Sequence, residues 1–214
     1  MTTYSLNPKI YGAARDGDVG QLRLLFRENY PDADVNYAPE NYLAQSVLHI
    51  ACDTGSSPGA IRLLLAHPDI EVNKKDNFGA TPFYWACRYG HLDAVRIMLQ
   101  DSRVRLNEPT MEVLAFATPV REAAANGHLA VVKWMLASKR EVFHGGIKDG
   151  DPATDPLAAA KLNGWTAVVS LLERYKKDKK QCISEIRNEL RLLGTERPSL
   201  RTWPFNSSFI IMFL

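Results

Sequence analysis

TPFYWACRYGHLDAVRIML, Thr81 to Leu99, carries the signals of two short helices joined by a tight glycine turn. Thr81 is a good N-cap and Pro82 sits at the first helical position, where its missing N–H costs nothing, so a short helix starts there. Phe83, Ala86 and Cys87 fall on its packing side, and Gly90 ends it. A second helix then places Leu92, Val95, Met98 and Leu99 on one stripe at helical spacing. A helix pair this short buries its stripe only against another pair.

Working outward, the same pattern returns as TPVREAAANGHLAVVKWML from Thr118 to Leu136 and as SVLHIACDTGSSPGAIRLLL from Ser46 to Leu65, which has one extra residue after its glycine. IYGAARDGDVGQLRLLF from Ile10 to Phe26 and DPLAAAKLNGWTAVVSLL from Asp155 to Leu172 flank these copies. The inter-helix glycines Gly17, Gly55, Gly90, Gly127 and Gly164 lie 38, 35, 37 and 37 residues apart. A fixed period in this range is the mark of a stacked repeat architecture.

Over about residues 8 to 175 the chain resembles the ankyrin-repeat family, whose unit is about 33 residues long with a T-P-L-H-x-A signature. Leu48-His49-Ile50-Ala51 carries the Leu-His-x-Ala core, and Gly90-His91-Leu92 and Gly127-His128-Leu129 carry the inter-helix turn. Val35-Asn36 and Val72-Asn73 match the residues before each family turn, with Asp76-Asn77-Phe78-Gly79 at a turn tip. The signature His is replaced by Tyr11, Tyr84, Arg121 and Ala158 in the other copies. The expected fold is an all-α solenoid of about five helix-turn-helix units with an amphipathic C-terminal capping helix. The domain reading is a tail over residues 1–7 and repeats over 8–42, 43–79, 80–116, 117–153 and 154–175. A basic amphipathic helix over 176–194 and an irregular apolar tail over 195–214 complete it.

The resemblance implies a protein-binding scaffold or adaptor that holds its partner on the turn tips and on the concave surface of the first helices. Carried onto this chain, the binding residues are Lys75, Asn77 and Phe78 at one turn and Arg88 and Tyr89 at the end of the following helix. Asp53, Thr54, Asn126 and Asn163 occupy the equivalent helix ends, and Tyr42 and Phe116 are aromatic anchors in the longer turns. Trp85 and Trp134 are assigned to the core, and Trp165 to sealing the last repeat.

At the ends, Asn7-Pro8 is expected to cap the first helix behind a frayed Met1 to Leu6. Ile183, Ile186, Leu190 and Leu193 share a helix face that ends at Gly194, the expected C′ residue, and this helix is expected to cover the last repeat. Residues 165–214 hold 9 Lys/Arg against 5 Asp/Glu, whereas residues 1–164 hold 17 against 19. That asymmetry, KKDKK at Lys176 to Lys180 and the apolar Phe209 to Leu214 support a second reading, a peripheral anchor on anionic membrane surfaces. The basic density falls short of a nucleic-acid face, so nucleic acid is not an expected partner.

Composition excludes other classes. With 46% apolar and 23% charged residues the chain is globular, no run is long enough for a transmembrane segment, and MTTYSLNPK lacks a secretory h-region. Cys52, Cys87 and Cys182 form no CxxC pair and fit a reducing compartment, so the expected placement is cytoplasmic, with KKDKK leaving a nuclear one open. Cys52 and Cys87 share one helix position in adjacent repeats and read as packing residues. Of the five histidines, His49, His91 and His128 hold repeat positions, while His67 and His144 lie in separate loops, so no pair has metal-ligand spacing. No catalytic residue, metal or cofactor is assigned, the chain is not expected to be an enzyme, and a monomer is expected.

Overall fold

A computed structural model describes residues 3–29, 34–40, 43–111, 116–138, 140–143 and 150–191, with side chains in the first segment from Leu6 to Arg27. Among these residues there are eleven helices and no strand. Five pairs follow one another: α1 (Thr3–Asp16) with α2 (Val19–Asn29), α3 (Val47–Asp53) with α4 (Pro58–Ala66), and α5 (Pro82–Tyr89) with α6 (Leu92–Gln100). Then come α7 (Pro119–Ala125) with α8 (Leu129–Ala137), α9 (Pro156–Leu162) with α10 (Thr166–Lys177), and finally α11 (Lys179–Glu189).

The local chemistry is that of the sequence pattern. Thr81 and Thr118 accept from the backbone N–H three residues on, Asp155 from the one two residues on, and a proline follows each cap. Gly90 closes α5 in the left-handed region, at φ 72°, a conformation that only glycine adopts without a steric penalty.

First helices pack on first helices and second on second, giving two layers. Ala14, Cys52, Cys87 and Ala124 sit three residues before their glycines and are fully buried, so the first layer closes up more tightly than the second. One apolar core runs through all five pairs, and the thiols of Cys52 and Cys87 point at the sulfurs of Met98 and Met135, one repeat on, at 3.4 and 3.8 Å. A small second cluster, Ala80, Tyr84, Trp85 and Ala117 with Phe78 against it, lies beneath the turns.

Two polar ladders bind successive repeats. Asn36 donates to Asp69 O and accepts from Glu71 N; Asn73 does the same with Arg103 O and Arg105 N, and Asn107 donates to Glu141 O. In the second ladder the ring after Gly90, Gly127 and Gly164 lies on the glycine of the preceding repeat. His91 covers Gly55 and reaches Asp53 O at 2.7 Å, His128 covers Gly90 and reaches Arg88 O at 2.9 Å, and Trp165 covers Gly127 and donates to Ala125 O at 2.7 Å.

The last pair breaks the pattern in a way that ends the stack. Where inner repeats carry Cys87 or Ala124, Leu92 or Leu129, and Leu99 or Leu136, it carries Lys161, Thr166 and Glu173, and Lys161 and Glu173 form an exposed ion pair at 2.7 Å. A polar outer face is what a terminal repeat needs.

Both chain ends differ from expectation. Helix α1 starts at Thr3 and continues through Pro8, because Leu6 lies one turn from Ile10 and both are buried. Burying a leucine is worth about 1.5–3 kcal/mol, enough to offset one lost backbone hydrogen bond in the second turn, so Leu6 belongs to the core and not to a frayed tail. Helix α11 packs on α10 and α8, filling the second layer between them. Cys182 and Ile186 are its buried residues, with Ile183 and Leu190 half-buried. Arg187 donates to Ala137 O and Lys133 pairs with Glu189, which ties its end to α8. The helix stops at Glu189, and Arg191, at φ 54°, takes the left-handed place the sequence assigns to Gly194. Leu193, Gly194 and the tail from 195 lie outside the described residues. Among the described residues no helix is long and apolar enough to cross a membrane.

Candidate functional site

The turn before α5 is organised by one carboxylate. Asp76 is buried; its Oδ1 accepts from Phe78 N and Ala80 N at 2.9 Å each, and its Oδ2 accepts the Trp85 indole N–H at 2.7 Å. Trp85 is thereby fixed beneath the turn. Tyr89, one helical turn later on the same side, stacks on Trp85 with ring centroids 5.8 Å apart and planes 15° from parallel, yet is 49% exposed. The Arg88 guanidinium lies 5.7 Å from the Trp85 ring, within range of the attraction between a cation and an aromatic face.

Arg88 also joins two repeats. Its Nη1 is 2.7 Å from Glu122 Oε2 on α7, and Arg121 holds the other oxygen of the same buried carboxylate. Burial, followed by the Glu122 charge, pushes the Tyr84 phenol up to about 12, so it stays protonated. At the turns an analogous triple forms, with Lys75 at 3.0 Å and Arg105 at 3.2 Å from opposite oxygens of Glu108. The hydrogen bond from Lys75 holds the Glu108 carboxyl below the usual range, against the opposing effect of burial.

The structure thus brings Lys75 and Phe78, at the end of repeat two, close along the chain to Arg88 and Tyr89 of repeat three, with Phe78 and Tyr89 both against Trp85. Phe78 is half-buried against the cluster around Trp85. Phe116, in the next turn, is 55% exposed at φ 54°, and Met111 beside it is 53% exposed. Asn77 is exposed, and its backbone N–H bonds Leu43 O in the preceding turn. Asp53 and Thr54 lie one repeat away, where the Thr54 hydroxyl is within bonding distance of Ile50 O and Arg15 O. The Asn126 and Asn163 amides donate to Glu122 O and Ala159 O of their own helices, so each closes a helix end. Tyr42 lies outside the described residues.

Trp85 lies in the core as assigned, Trp134 departs from that assignment, and Met111 joins the surface without having been assigned to it. Trp85 is buried, yet it forms the floor on which Tyr89 stacks; its four-residue separation from Tyr89 on a helix is the signal that couples them. Met111 is missing from the predicted set, although an apolar run in a turn, MEVLAF, marks it. Trp134 is only half-buried, on the outer layer, with Arg96 4.6 Å above its ring.

This surface offers rings, a guanidinium and turn backbone, which are means of binding. Burial raises the Cys52 and Cys87 thiols well above their ordinary values, and no group of three His, Cys, Asp or Glu placed to hold a metal ion occurs among the described residues.

Comparison with known proteins agrees with this architecture. A family model of ankyrin repeats, in three copies, matches residues 10–109. Over 76 residues the chain is 38% identical to the SMC5-SMC6 complex localization factor protein 1 of Bos taurus and to that of Homo sapiens, and 36% identical to that of Mus musculus. The aligned part is 35% of this chain and only 7% of those relatives' length.

Proposed function

From the premise that the chain is an ankyrin-repeat protein, we propose that it is an adaptor that captures a protein partner on the first-helix side of repeats three and four. The observation that carries this is Tyr89, an aromatic ring left half in solvent on a buried tryptophan, with an arginine beside it. Tyr, Trp and Arg are the residue types in which binding energy concentrates when they sit on a rigid support. Support here comes from the Asp76 bonds and the Glu122 bridge. The relatives' name describes a localisation factor of a complex, a role of the same kind.

Asp53 and Thr54 extend the surface toward repeat two, and Lys75, Asn77 and Phe78 toward the turns. The alternative, a peripheral membrane anchor, draws no support from α11, because its buried apolar residues face α8 and α10.

Affinity capture from cell extract, quantified by mass spectrometry, tests the reading. Tyr89→Ala and Arg88→Lys should each deplete the same specific partners at least several-fold while the chain stays folded. Arg88→Ala is the poorer probe, since it also opens the contact with buried Glu122. An unchanged captured set with both variants would remove this surface from consideration.

A further inference from the structure

We propose that the Asp53 carboxylate is the seat for a lysine or arginine side chain of the protein partner that binds over Tyr89. The inference rests on the protein-binding reading above and names the partner's chemistry.

The first support is a carboxylate that the fold leaves alone. The first helices α3, α5, α7 and α9 carry Asp53, Arg88, Arg121, Glu122 and Lys161 as their charged residues. Arg88 and Arg121 hold Glu122, and Lys161 holds Glu173. Asp53 has neither an ion pair nor a side-chain hydrogen bond among the described residues, although it is half-buried. Burial raises its carboxyl above the usual range, and the opposing effects of His91 and Arg88 do not restore it. Asp53 is also the last residue of α3, the end at which a helix dipole disfavours negative charge. A charge kept against both costs, with no donor supplied by the chain, points to a contact made outside it.

The second support is what surrounds it. Helix α3 packs on α1 and on α5, and Asp53 holds the place before the glycine that Arg15 holds in repeat one and Arg88 in repeat three. On the α1 side, burial followed by the Asp53 charge raises the Tyr11 phenol. On the α5 side, the His91 ring reaches Asp53 O at 2.7 Å and lies 6.1 Å from the Tyr89 ring. Tyrosines on both neighbouring helices can therefore offer ring faces to a cation that pairs with Asp53. The other charged groups nearby cancel one another: Arg15 pairs with Asp16, and Arg88 and Arg121 stand against Glu122 and the buried Asp76. Lys9 lies six residues before Arg15, about 9 Å along α1. One negative charge is left over, and it complements a Lys or Arg beside an apolar residue. The same charge repels the phosphates on which nucleic-acid binding draws.

Selection of a random short-peptide display library on the immobilised full chain, followed by fluorescence titration of the enriched peptides, tests this directly. Enriched peptides should carry Lys or Arg within a few residues of an apolar side chain and bind more weakly as salt rises. Asp53→Asn keeps the shape and removes the charge, so it should lose about tenfold or more in affinity. Its melting temperature should hold level or rise, because an unpaired, half-buried charge has gone. Exchanging the peptide's basic residue for methionine should weaken binding to the unaltered chain by a similar factor and to Asp53→Asn hardly at all, the sign of a direct contact. Enriched peptides without Lys or Arg, undiminished binding by Asp53→Asn, or an equal effect of the methionine exchange on both proteins would overturn the proposal. So would a lower melting temperature of Asp53→Asn, which would make the carboxylate a structural group. If enriched peptides are lost with Tyr89→Ala but not with Asp53→Asn, the binding surface stands and the seat falls; if no peptide is enriched, both fail.

Discussion

Repeats three and five are built on one template and end differently. In repeat three, Cys87 is fully buried between neighbouring first helices, and Arg88 and Tyr89 beyond it face solvent on a rigid base. In repeat five the same positions hold Lys161, Leu162 and Asn163; the lysine pairs with Glu173 across the end of the stack, and the asparagine closes its own helix. Position within a repeat sets the backbone, but the presence of a next repeat decides which side chain it tolerates. The surface proposed for binding lies where stacking supplies support from both sides.

The sharpest way to break this comparison is to exchange the two ends. Cys87→Lys would place an ammonium between α5 and α7 with no partner, and should cost about 3–5 kcal/mol in urea unfolding. Lys161→Cys removes only an exposed ion pair and should change stability by less than about 1 kcal/mol. Near-equal losses would mean that the terminal face is covered as fully as the inner ones.

A second contrast is tuned by pH. His49 is buried, accepts from Ser46 N at Nδ1 and reaches Ala80 O of the next repeat at 3.0 Å through Nε2, an arrangement that fits the neutral ring. Burial lowers its pKa from 6.5 to about 4, the bond to Ala80 opposing. The unfolded chain therefore takes up the proton first. His49's contribution is complete above about pH 6.5 and shrinks as pH falls toward 4, amounting to a loss of about 2 kcal/mol at pH 5. Repeat five has Ala158 in this place, with no next repeat to reach. His49→Ala should lower stability at pH 7 and remove most of the slope between pH 6.5 and 5; a slope left intact would assign it to other groups.

What could be read from residues alone divides along the same line. The helix pairs, their caps and the glycine turns follow from local chemistry, so Thr81-Pro82 and Gly90 state them directly. Whatever depends on a neighbour is less legible. Pro8 reads as a helix start until Leu6 is seen packed near Ile10, and α11 reads as covering the last repeat, while its contacts with both α10 and α8 emerge only from the packing. Lys161, Thr166 and Glu173 were visible as letters, but they identify a terminal face only when set beside Cys87, Leu92 and Leu99. The candidate surface shows the same split: Arg88 and Tyr89 follow from the repeat pattern, whereas the supporting roles of Trp85, Asp76 and Glu122 require packing across two repeats.

The ring ladder gives the finest test of the difference between an inner repeat and the last one. Gly127 and Gly164 share a left-handed backbone, at φ 74° in both. A Cβ on Gly127 would lie 2.5 Å from Trp165 Cδ2, whereas a Cβ on Gly164 would meet nothing within 4 Å among the described residues. Gly164→Ala should therefore cost only the left-handed penalty of about 1–2 kcal/mol. Gly127→Ala bears the same penalty and must also push the indole off the glycine, straining its exposed bond to Ala125 O, which adds about 1 kcal/mol. Tryptophan fluorescence should shift in Gly127→Ala alone if the ladder stops at Trp165, and matching losses in the two variants would show that some further group already occupies the place beside Gly164.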